Sequence, residues 1–448
     1  MIVEHYSVDQ GLPNNTVNCT LKDRDGFIWF GTWYGLCCFD GVKFKTFNKQ
    51  EHDSDVPPRK IQRIVEDKNG YIWVKTIDRK LYVFNKVTEC FHAVYDDMKN
   101  YSENIQVIKL QNTAEGDVLL LTKDKNLLLA GVDEKGQVTI KILFDSRDEI
   151  NKHDYTLKHH VLCETEEYIS WIGTDYKVSA VHKGAELASR PADFITSKIN
   201  SGDKDSFTSF FEDGRKVWVG DRAGIFYSID VRTGLVNRYV LSEIKGAISN
   251  LLVTPAGYVY LSVAGQGTYE YDLAERRLQK INTEMNDAMV THAFIDQYDK
   301  IWFHENEKAL IYYDPLNHTA KRFPFTMFGK ITTLYSEDAG ERGLFFLSPA
   351  GEAWLFDREH AEMVYINKLK QLSNDRANQQ FYHLMLDNDG VLWLSSADEG
   401  VYCMNFPKKQ FNLLSLSPQS AGRENYATGV RALFQSKSGD IWVGTRWQ

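Results

Sequence analysis

Paired carboxylates are the first side chains in this 448-residue sequence whose type and spacing suggest chemistry. Asp23 with Asp25, and Asp387 with Asp389, could bind calcium or act as an acid and a base. Each pair, however, lies in a D-x-D-G segment between two apolar runs, where Asp and Gly favour a tight turn. We therefore interpret both pairs as turn residues.

Metal-binding and nucleophilic motifs are also absent from the sequence. His159-His160 is the one pair of adjacent histidines, and we interpret it as the end of a loop rather than as a metal site. The six cysteines form no CxxC, so we expect buried thiols. HExxH, GxSxG, Walker and GxGxxG motifs do not occur. The sequence predicts no catalytic residue, no metal site and no cofactor.

Charge and hydrophobicity exclude two further classes of protein. Lys and Arg number 52 against 61 Asp and Glu, a net charge of -9, so nucleic acid is not expected as a partner. No apolar run approaches the roughly 18 residues that a membrane helix needs, and the N-terminus lacks the features of a signal peptide.

A repeat must position whatever functional residues the chain has. Its first copy, Val17 to Phe44, and a late copy, Val430 to Thr445, align without a gap. A large apolar anchor recurs with a mean spacing of about 46 residues, as in propeller blades. The ten anchors are Trp29, Trp73, Leu119, Trp171, Trp218, Tyr260, Trp302, Phe345, Trp393 and Trp442.

Each repeat has the pattern of four antiparallel strands. An alternating segment leads to an Asp-Gly or Asn-Gly turn, then to a run that is apolar on both faces, such as FIWFGT. A glycine turn, a third strand with an aromatic near its end and a weaker fourth strand follow. Amphipathic helices of 10 to 15 residues are absent, so the pattern predicts an all-β fold, a β-propeller of about ten four-stranded repeats.

The residues around the anchor resemble one propeller family. WD40 repeats would have Asp after the Trp, and the Asp-box of sialidases places Asp one position away from where it stands here. Val17 to Asp40 instead resembles the regulator propeller repeat of periplasmic sensor regions in Bacteroides-type hybrid two-component systems, with D-x-x-G-x-[IV]-W-[IVF]-G-T followed by G-L-x-x-[FY]-[DN]. The stretches HYSVDQGLPNNTV and FPKKQFNLLSLSP are similar to that family too.

This resemblance implies a domain organisation. Sensors of the family have two seven-bladed propellers, so we expect residues 1–325 to form a first propeller of about seven blades. The strand around Val3 to Tyr6 would be the outer strand of its last blade. Residues 326–448 would begin a second, truncated propeller, with 406–418 as the alternative boundary. The sequence ends within a repeat, so we expect a longer polypeptide.

Candidate binding residues lie in the loops at one end of the repeats, since the strands are committed to packing. Aromatic faces stack on sugar rings, and Arg or Lys pairs with carboxylates or sulfates. From the turns between second and third strands and from the linkers into first strands, we select Trp33, Tyr34, Arg59, Arg79, His159, Tyr176 and Arg222.

The resemblance and these residues together predict a non-enzymatic, periplasmic ligand-sensing domain. It would bind an oligosaccharide, neutral or anionic, and relay a domain rearrangement to a histidine kinase in a homodimeric full-length receptor. The membrane would be reached only through segments beyond this chain. A protein-interaction scaffold and a carbohydrate-active lyase or hydrolase remain open as alternatives.

Overall fold

The computed structural model describes most of the chain in segments. These are residues 2–47, 57–99, 106–124, 126–144, 162–165, 167–172, 177–184, 194–198, 207–281, 290–305, 308–324, 335–340, 343–348, 352–366, 381–405, 430–436 and 441–445. The contacts divide the chain into two units, one of residues 2–405 and one that contains residues 406–448.

The first five sheets each have four antiparallel strands in sequence order. A strand β1 (Ile2–Tyr6) and a 3-10 helix (Val8–Gln10) precede them. The first sheet has β2 Val17–Lys22, β3 Ile28–Thr32, β4 Gly35–Phe39 and β5 Phe44–Phe47. The second has β6 Ile61–Glu66, β7 Ile72–Thr76, β8 Leu81–Asn85 and β9 Cys90–Ala93, followed by helix α1 Tyr95–Met98. The third has β10 Val107–Asn112, β11 Val118–Thr122, β12 Leu127–Val132 and β13 Val138–Phe144. The fourth has β14 Leu162–Glu164, β15 Tyr168–Ile172, β16 Lys177–His182 and β17 Phe194–Lys198, and the fifth has β18 Phe207–Glu212, β19 Lys216–Asp221, β20 Ile225–Asp230 and β21 Val236–Val240.

Four more sheets complete the larger unit. The sixth has β22 Ile248–Val253, β23 Tyr258–Val263, β24 Gly267–Asp272 and β25 Arg277–Lys280. The seventh has β26 Val290–Ile295, β27 Ile301–Glu305, β28 Ala309–Asp314 and β29 Thr319–Pro324. The eighth has β30 Tyr335–Asp338, β31 Leu344–Leu347, β32 Ala353–Asp357 and β33 Glu362–Ile366, and the ninth has β34 Phe381–Leu386, β35 Leu392–Ser396 and β36 Val401–Asn405. In the smaller unit, β37 Val430–Gln435 and β38 Ile441–Thr445 form a hairpin.

The second strand is fully buried in several sheets, as its two-sided apolar pattern predicts. All five residues of β3, β7, β11 and β35 are buried, because each such strand is covered by a sheet on both faces. Within the described segments, no helix is long and apolar enough to cross a membrane.

The nine sheets pack face to face in chain order, and the first sheet also packs on the ninth. Shared apolar clusters join successive sheets from the first to the eighth, and β30 lies beside β34. Phe30 and Phe39 of the first sheet then pack on Trp393 of the ninth. The first strands of neighbouring sheets contact one another, for example β2 with β6 and β34, and thus lie innermost. This is the architecture of a β-propeller.

The N-terminal strand corrects the predicted ring of seven sheets. As expected, β1 is an outermost strand, but it pairs with β36 of the ninth sheet, with Glu4 facing Cys403, and not with the sheet of Trp302. Trp302 packs instead on Phe356 of the eighth sheet, so the stacking continues past the seventh. The compact unit ends at Asn405, close to the alternative boundary at 406–418 rather than at residue 325.

Candidate functional site

The anchor tryptophans are structural, as predicted. Trp29, Trp73, Trp218, Trp302 and Trp393 are 0–4 % exposed and pack between sheets. Each indole N–H donates to a turn aspartate, for example Trp73 Nε1 to Asp67 Oδ2 at 2.9 Å. The other oxygen of Asp67 accepts the backbone N–H groups of Asn69 and Tyr71. An Asp five or six residues before the Trp is the sequence signal that would have predicted this bond.

The carboxylates near the first hairpin turn of the first two sheets form ion pairs with a lysine. Lys86 Nζ lies 3.1 Å from Asp23, 2.7 Å from Asp25 and 2.8 Å from Glu66. Although burial opposes it, hydrogen bonding to the three carboxylates raises the pKa of Lys86. The ammonium group therefore balances a cluster of acids whose spacing would otherwise suit a cation.

Similar ion pairs join other sheets at the same end. Lys183 contacts Glu115 at 2.9 Å, and Arg358 contacts Asp296 at 2.6 Å. Lys86, Lys183 and Arg358 all follow the third strand of their sheet and reach a carboxylate of the preceding sheet. We call these contacts the inter-sheet ion pairs. The carboxylates in these pairs, such as Asp23 and Asp25, thus bind a cation of the neighbouring sheet, which explains their presence without a catalytic role.

A cavity of about 750 Å³ lies between the first and second sheets at this end, which we call the hairpin end. It is lined by Arg24, Phe27, Asn69, Tyr71, Lys86 and Val87, among others. Its charged groups already bind one another, since Lys86 is held as described and Arg24 contacts Glu66 at 3.2 Å. A ligand here would have to break existing ion pairs.

The opposite end of the same sheets carries the predicted binding residues, and we call it the mouth end. Backbone hydrogen bonds link its turns: Lys60 N donates to Trp33 O, and Ile77 N donates to Lys60 O, each at 2.9 Å. Val107 N donates to Arg79 O at 3.0 Å. The structure thus brings Trp33, Arg59 and Arg79, from the first two sheets, into one continuous surface that reaches the third.

These mouth-end side chains are exposed and basic. Trp33 is 41 % exposed, Tyr34 is more exposed still, and Lys60 Nζ lies 5.2 Å from the centre of the Trp33 ring. Lys60 and Arg79 have φ values of 51° and 67°, a conformation that costs energy for residues with a Cβ. Such strain is often found at binding sites.

Two further cations at the mouth end were not selected from the sequence. In the β6–β7 pair, Arg63 stands directly opposite Lys75. Lys75 is buried and donates from Nζ to Gln62 Oε1 at 2.5 Å. In the described part of the chain, no carboxylate forms an ion pair with Arg59, Lys60, Arg63, Lys75 or Arg79. A sequence signal for Arg63 and Lys75 did exist: each is a basic residue within a strand segment, and the hairpin pairing places the two opposite each other.

Three histidines that were not selected from the sequence lie in strands. His292 faces His304 across the β26–β27 pair, and burial lowers the pKa of both. Burial, with the nearby charge of Arg63, lowers the pKa of His383 to about 4. Among the described residues, Nδ1 of His383 has no hydrogen-bond partner. The charge of Arg63 therefore acts on the ninth sheet as well as on its own.

The remaining predicted residues do not join this surface. Arg222 is exposed in the equivalent turn of the fifth sheet, and two sheets separate it from that of Arg79. His159 and Tyr176 lie outside the described residues.

The sequence comparison finds the family that the repeat resembles, in a short segment of the chain. Residues 11–34 match the family described as two component regulator propeller, which overlaps the Val17 to Asp40 motif. A stretch of 84 residues is 33 % identical to "Histidine kinase P4" of Formosa agariphila, and covers 17 % of this chain and 6 % of that protein. The first repeat is thus a two component regulator propeller repeat.

The structural comparison finds matches of low sequence identity, among them an extracellular domain of a two component system and an enzyme. The extracellular domain of a hybrid two component system from B. thetaiotaomicron is 16 % identical, with a TM-score of 0.34, and the match covers 99 % of this chain and 64 % of that domain. A virginiamycin B lyase from Staphylococcus aureus is 11 % identical, with a TM-score of 0.42, over 66 % of this chain and 92 % of the lyase. The chain spans less than two thirds of the sensor domain and a small part of the kinase.

Proposed function

We propose that this chain is the ligand-sensing, periplasmic part of a two-component sensor, and that it binds an oligosaccharide at the mouth end of its first three sheets. The regulator propeller match and the histidine kinase similarity support the sensor class. One observation carries the binding site: exposed Trp33 and Tyr34 lie beside Arg59, Lys60 and Arg79, which have no carboxylate partners among the described residues.

The two ends of the sheets differ in whether their cations already have carboxylate partners. Sugars are bound by stacking on aromatic faces and by hydrogen bonds from planar guanidinium groups. The mouth end offers both, and Arg59, Lys60 and Arg79 make no ion pairs in the described chain. At the hairpin end, Lys86 and Arg24 are already paired with carboxylates. Binding at the mouth end therefore breaks fewer existing contacts.

The proposed signal is a rearrangement that ligand binding favours. The chain would pass this change to a membrane-linked histidine kinase within a homodimeric receptor. A ligand can shift an equilibrium between two arrangements only by its difference in affinity for them. The surface described above is where that difference would arise.

A thermal-shift screen against neutral and acidic oligosaccharides tests the proposal, because a ligand of the native state raises the melting temperature. Trp33→Ala should abolish the shift. Phe27→Ala is a matched control, since Phe27 is 42 % exposed and lines the hairpin-end cavity. Loss of the shift in Phe27→Ala alone would move the site to that cavity, and the absence of a shift with any oligosaccharide would contradict the proposal.

The lyase among the similar structures makes turnover worth measuring in the same samples. A sensor returns the oligosaccharide unchanged, whereas a lyase or hydrolase produces shorter fragments that mass spectrometry detects. Fragments that disappear in Trp33→Ala would replace the sensing function by an enzymatic one.

A further inference from the structure

The β6–β7 strand pair contains an arrangement of charges that the fold does not require. Arg63 and Lys75 face each other directly, and like charges at facing positions destabilise a sheet. The position equivalent to Lys75 is small and neutral in four other sheets: Gly31 faces Cys19, Gly220 faces Ser209, Ser262 faces Asn250 and Ser395 faces His383. In the third and seventh sheets it is Leu121 and His304. Packing therefore accepts a small neutral residue where this sheet has a lysine.

Burial makes the arrangement more costly. Lys75 is only 6 % exposed, and Gln62 Oε1 is the one acceptor recorded for its Nζ in the described chain. No carboxylate forms an ion pair with Lys75 in the described chain, and burial, Arg79 and Arg63 together lower its pKa. Buried charges in proteins are normally paired with a counter-charge.

We infer that Arg63, Lys75 and Arg79 form an anion subsite that takes the carboxylate or sulfate group of an acidic sugar. The inference rests on the proposed function and deepens it, since it names the chemical class of the ligand. An anion bound here would relieve the repulsion between Arg63 and Lys75 and would bring a charge-assisted partner to each.

The subsite adjoins the aromatic part of the surface. Arg79 belongs to the turn of Ile77, which is hydrogen-bonded to Lys60, and Lys60 is bonded to Trp33. A sugar ring stacked on Trp33 and an acidic group at Arg79 thus contact neighbouring turns. Because Lys75 is desolvated, its attraction to an anion exceeds that of an exposed lysine.

The test uses the full chain and simple probes at constant ionic strength: sodium sulfate, sodium glucuronate and glucose, each compared with sodium chloride. Sulfate, glucuronate or both should raise the melting temperature by about 1–2 °C at saturating concentration. Glucose should give a smaller shift, since it lacks the anion. The salt that raises the melting temperature more shows whether the subsite prefers a tetrahedral sulfate or a planar carboxylate.

Lys75→Met, which keeps the length of the side chain, should remove the anion-specific shift. Without ligand it should melt at or above the wild-type temperature, because the repulsion with Arg63 is gone. Lys80→Met is the matched control, since Lys80 is an exposed lysine of the same turn that contacts Asp78 at 3.4 Å. It should keep the whole shift.

The outcomes separate this inference from the proposed function. Equal melting temperatures in sulfate, glucuronate and chloride, or a full anion-specific shift in Lys75→Met, overturn the subsite, even if a neutral oligosaccharide still binds through Trp33. An anion-specific shift that requires Lys75, without binding of any oligosaccharide, supports the subsite and contradicts the proposed function.

Discussion

At the scale of single residues, tryptophan has two separate roles in this chain. Five anchor tryptophans of the larger unit, such as Trp73, are buried and hydrogen-bonded to an aspartate, whereas Trp33 is 41 % exposed in a turn. The repeat made the anchors predictable from sequence, because they recur within apolar strands. Trp33 was identified from its place in a turn, and the structure places it beside Lys60.

Truncation of an anchor should cost far more stability than truncation of Trp33. Trp73→Ala should lower the free energy of unfolding by about 3–5 kcal/mol, through lost packing and a cavity. Trp33→Ala should change it by less than about 1 kcal/mol, as for an exposed position. Chemical denaturation of both variants measures the difference. A stable Trp73→Ala protein would contradict the structural role of the anchors.

His383 should make the protein sensitive to acid. Its folded-state pKa of about 4 is below the ordinary value near 6.5, so between these pH values the unfolded chain binds a proton that the folded chain does not. Stability therefore falls as the pH decreases from about 6.5 to about 4, by roughly 2–3 kcal/mol at most.

His383→Gln should flatten this decline in denaturation experiments over that pH range. His360→Gln is the control, because the exposed His360 is hydrogen-bonded to Asp357, which raises its pKa. His360 changes the stability of the protein only above pH 6.5, because its pKa is raised. The decline in stability below pH 6.5 should therefore persist in His360→Gln. A wild-type slope in His383→Gln would show that His383 is not the group responsible.

At the scale of elements, the contacts that join neighbouring sheets were harder to predict than the sheets. Four strands per repeat followed from alternation and Asp-Gly turns. The inter-sheet ion pairs did not, since Lys86 and Glu66 are 20 residues apart and Lys86 reaches Asp23 across 63 residues. Only the packing of one sheet on the next brings them together.

Removal of one inter-sheet ion pair should destabilise the fold. Lys86→Met leaves the buried Asp23 carboxylate without its cation, and should cost about 2–3 kcal/mol. Lys45→Met is the matched control, because the Lys45–Glu89 pair is exposed and such pairs contribute about 0–1 kcal/mol. Equal denaturation midpoints of the two variants would contradict a stabilising role for Lys86.

At the scale of the whole molecule, the sequence predicted the all-β propeller but not the number of sheets in the circuit. The repeat marks every sheet alike, so nothing in it shows which sheet pairs with the N-terminal strand. The partner of β1 is decided by long-range packing, in which Tyr6 lies on Phe39 and Trp393. Of the proposed anion subsite, only Arg79 was predicted from the sequence, because Arg63 and Lys75 lie in strands that we assigned to packing.

A cross-link tests the closure of the circuit. Because Glu4 faces Cys403, Glu4→Cys should form a disulfide with Cys403 under mild oxidation, since facing residues of antiparallel strands lie about 4.5–5.5 Å apart. Mass spectrometry of peptides identifies the bond, and Glu4→Cys combined with Cys403→Ser is the control. A folded Glu4→Cys protein that does not form this bond would refute the pairing of β1 with β36.

The mouth end of the first three sheets is the proposed binding surface, and hydrogen–deuterium exchange of the full chain with a binding oligosaccharide tests this location most directly. Ligand binding slows exchange where it orders the backbone. We predict slower exchange in residues 59–64 and 75–80, which include Lys60, Arg63 and Arg79, and unchanged exchange in the hairpin-end turns 67–71 and 85–89. Protection confined to those hairpin-end turns, or absent from the first three sheets altogether, would contradict binding at the mouth end.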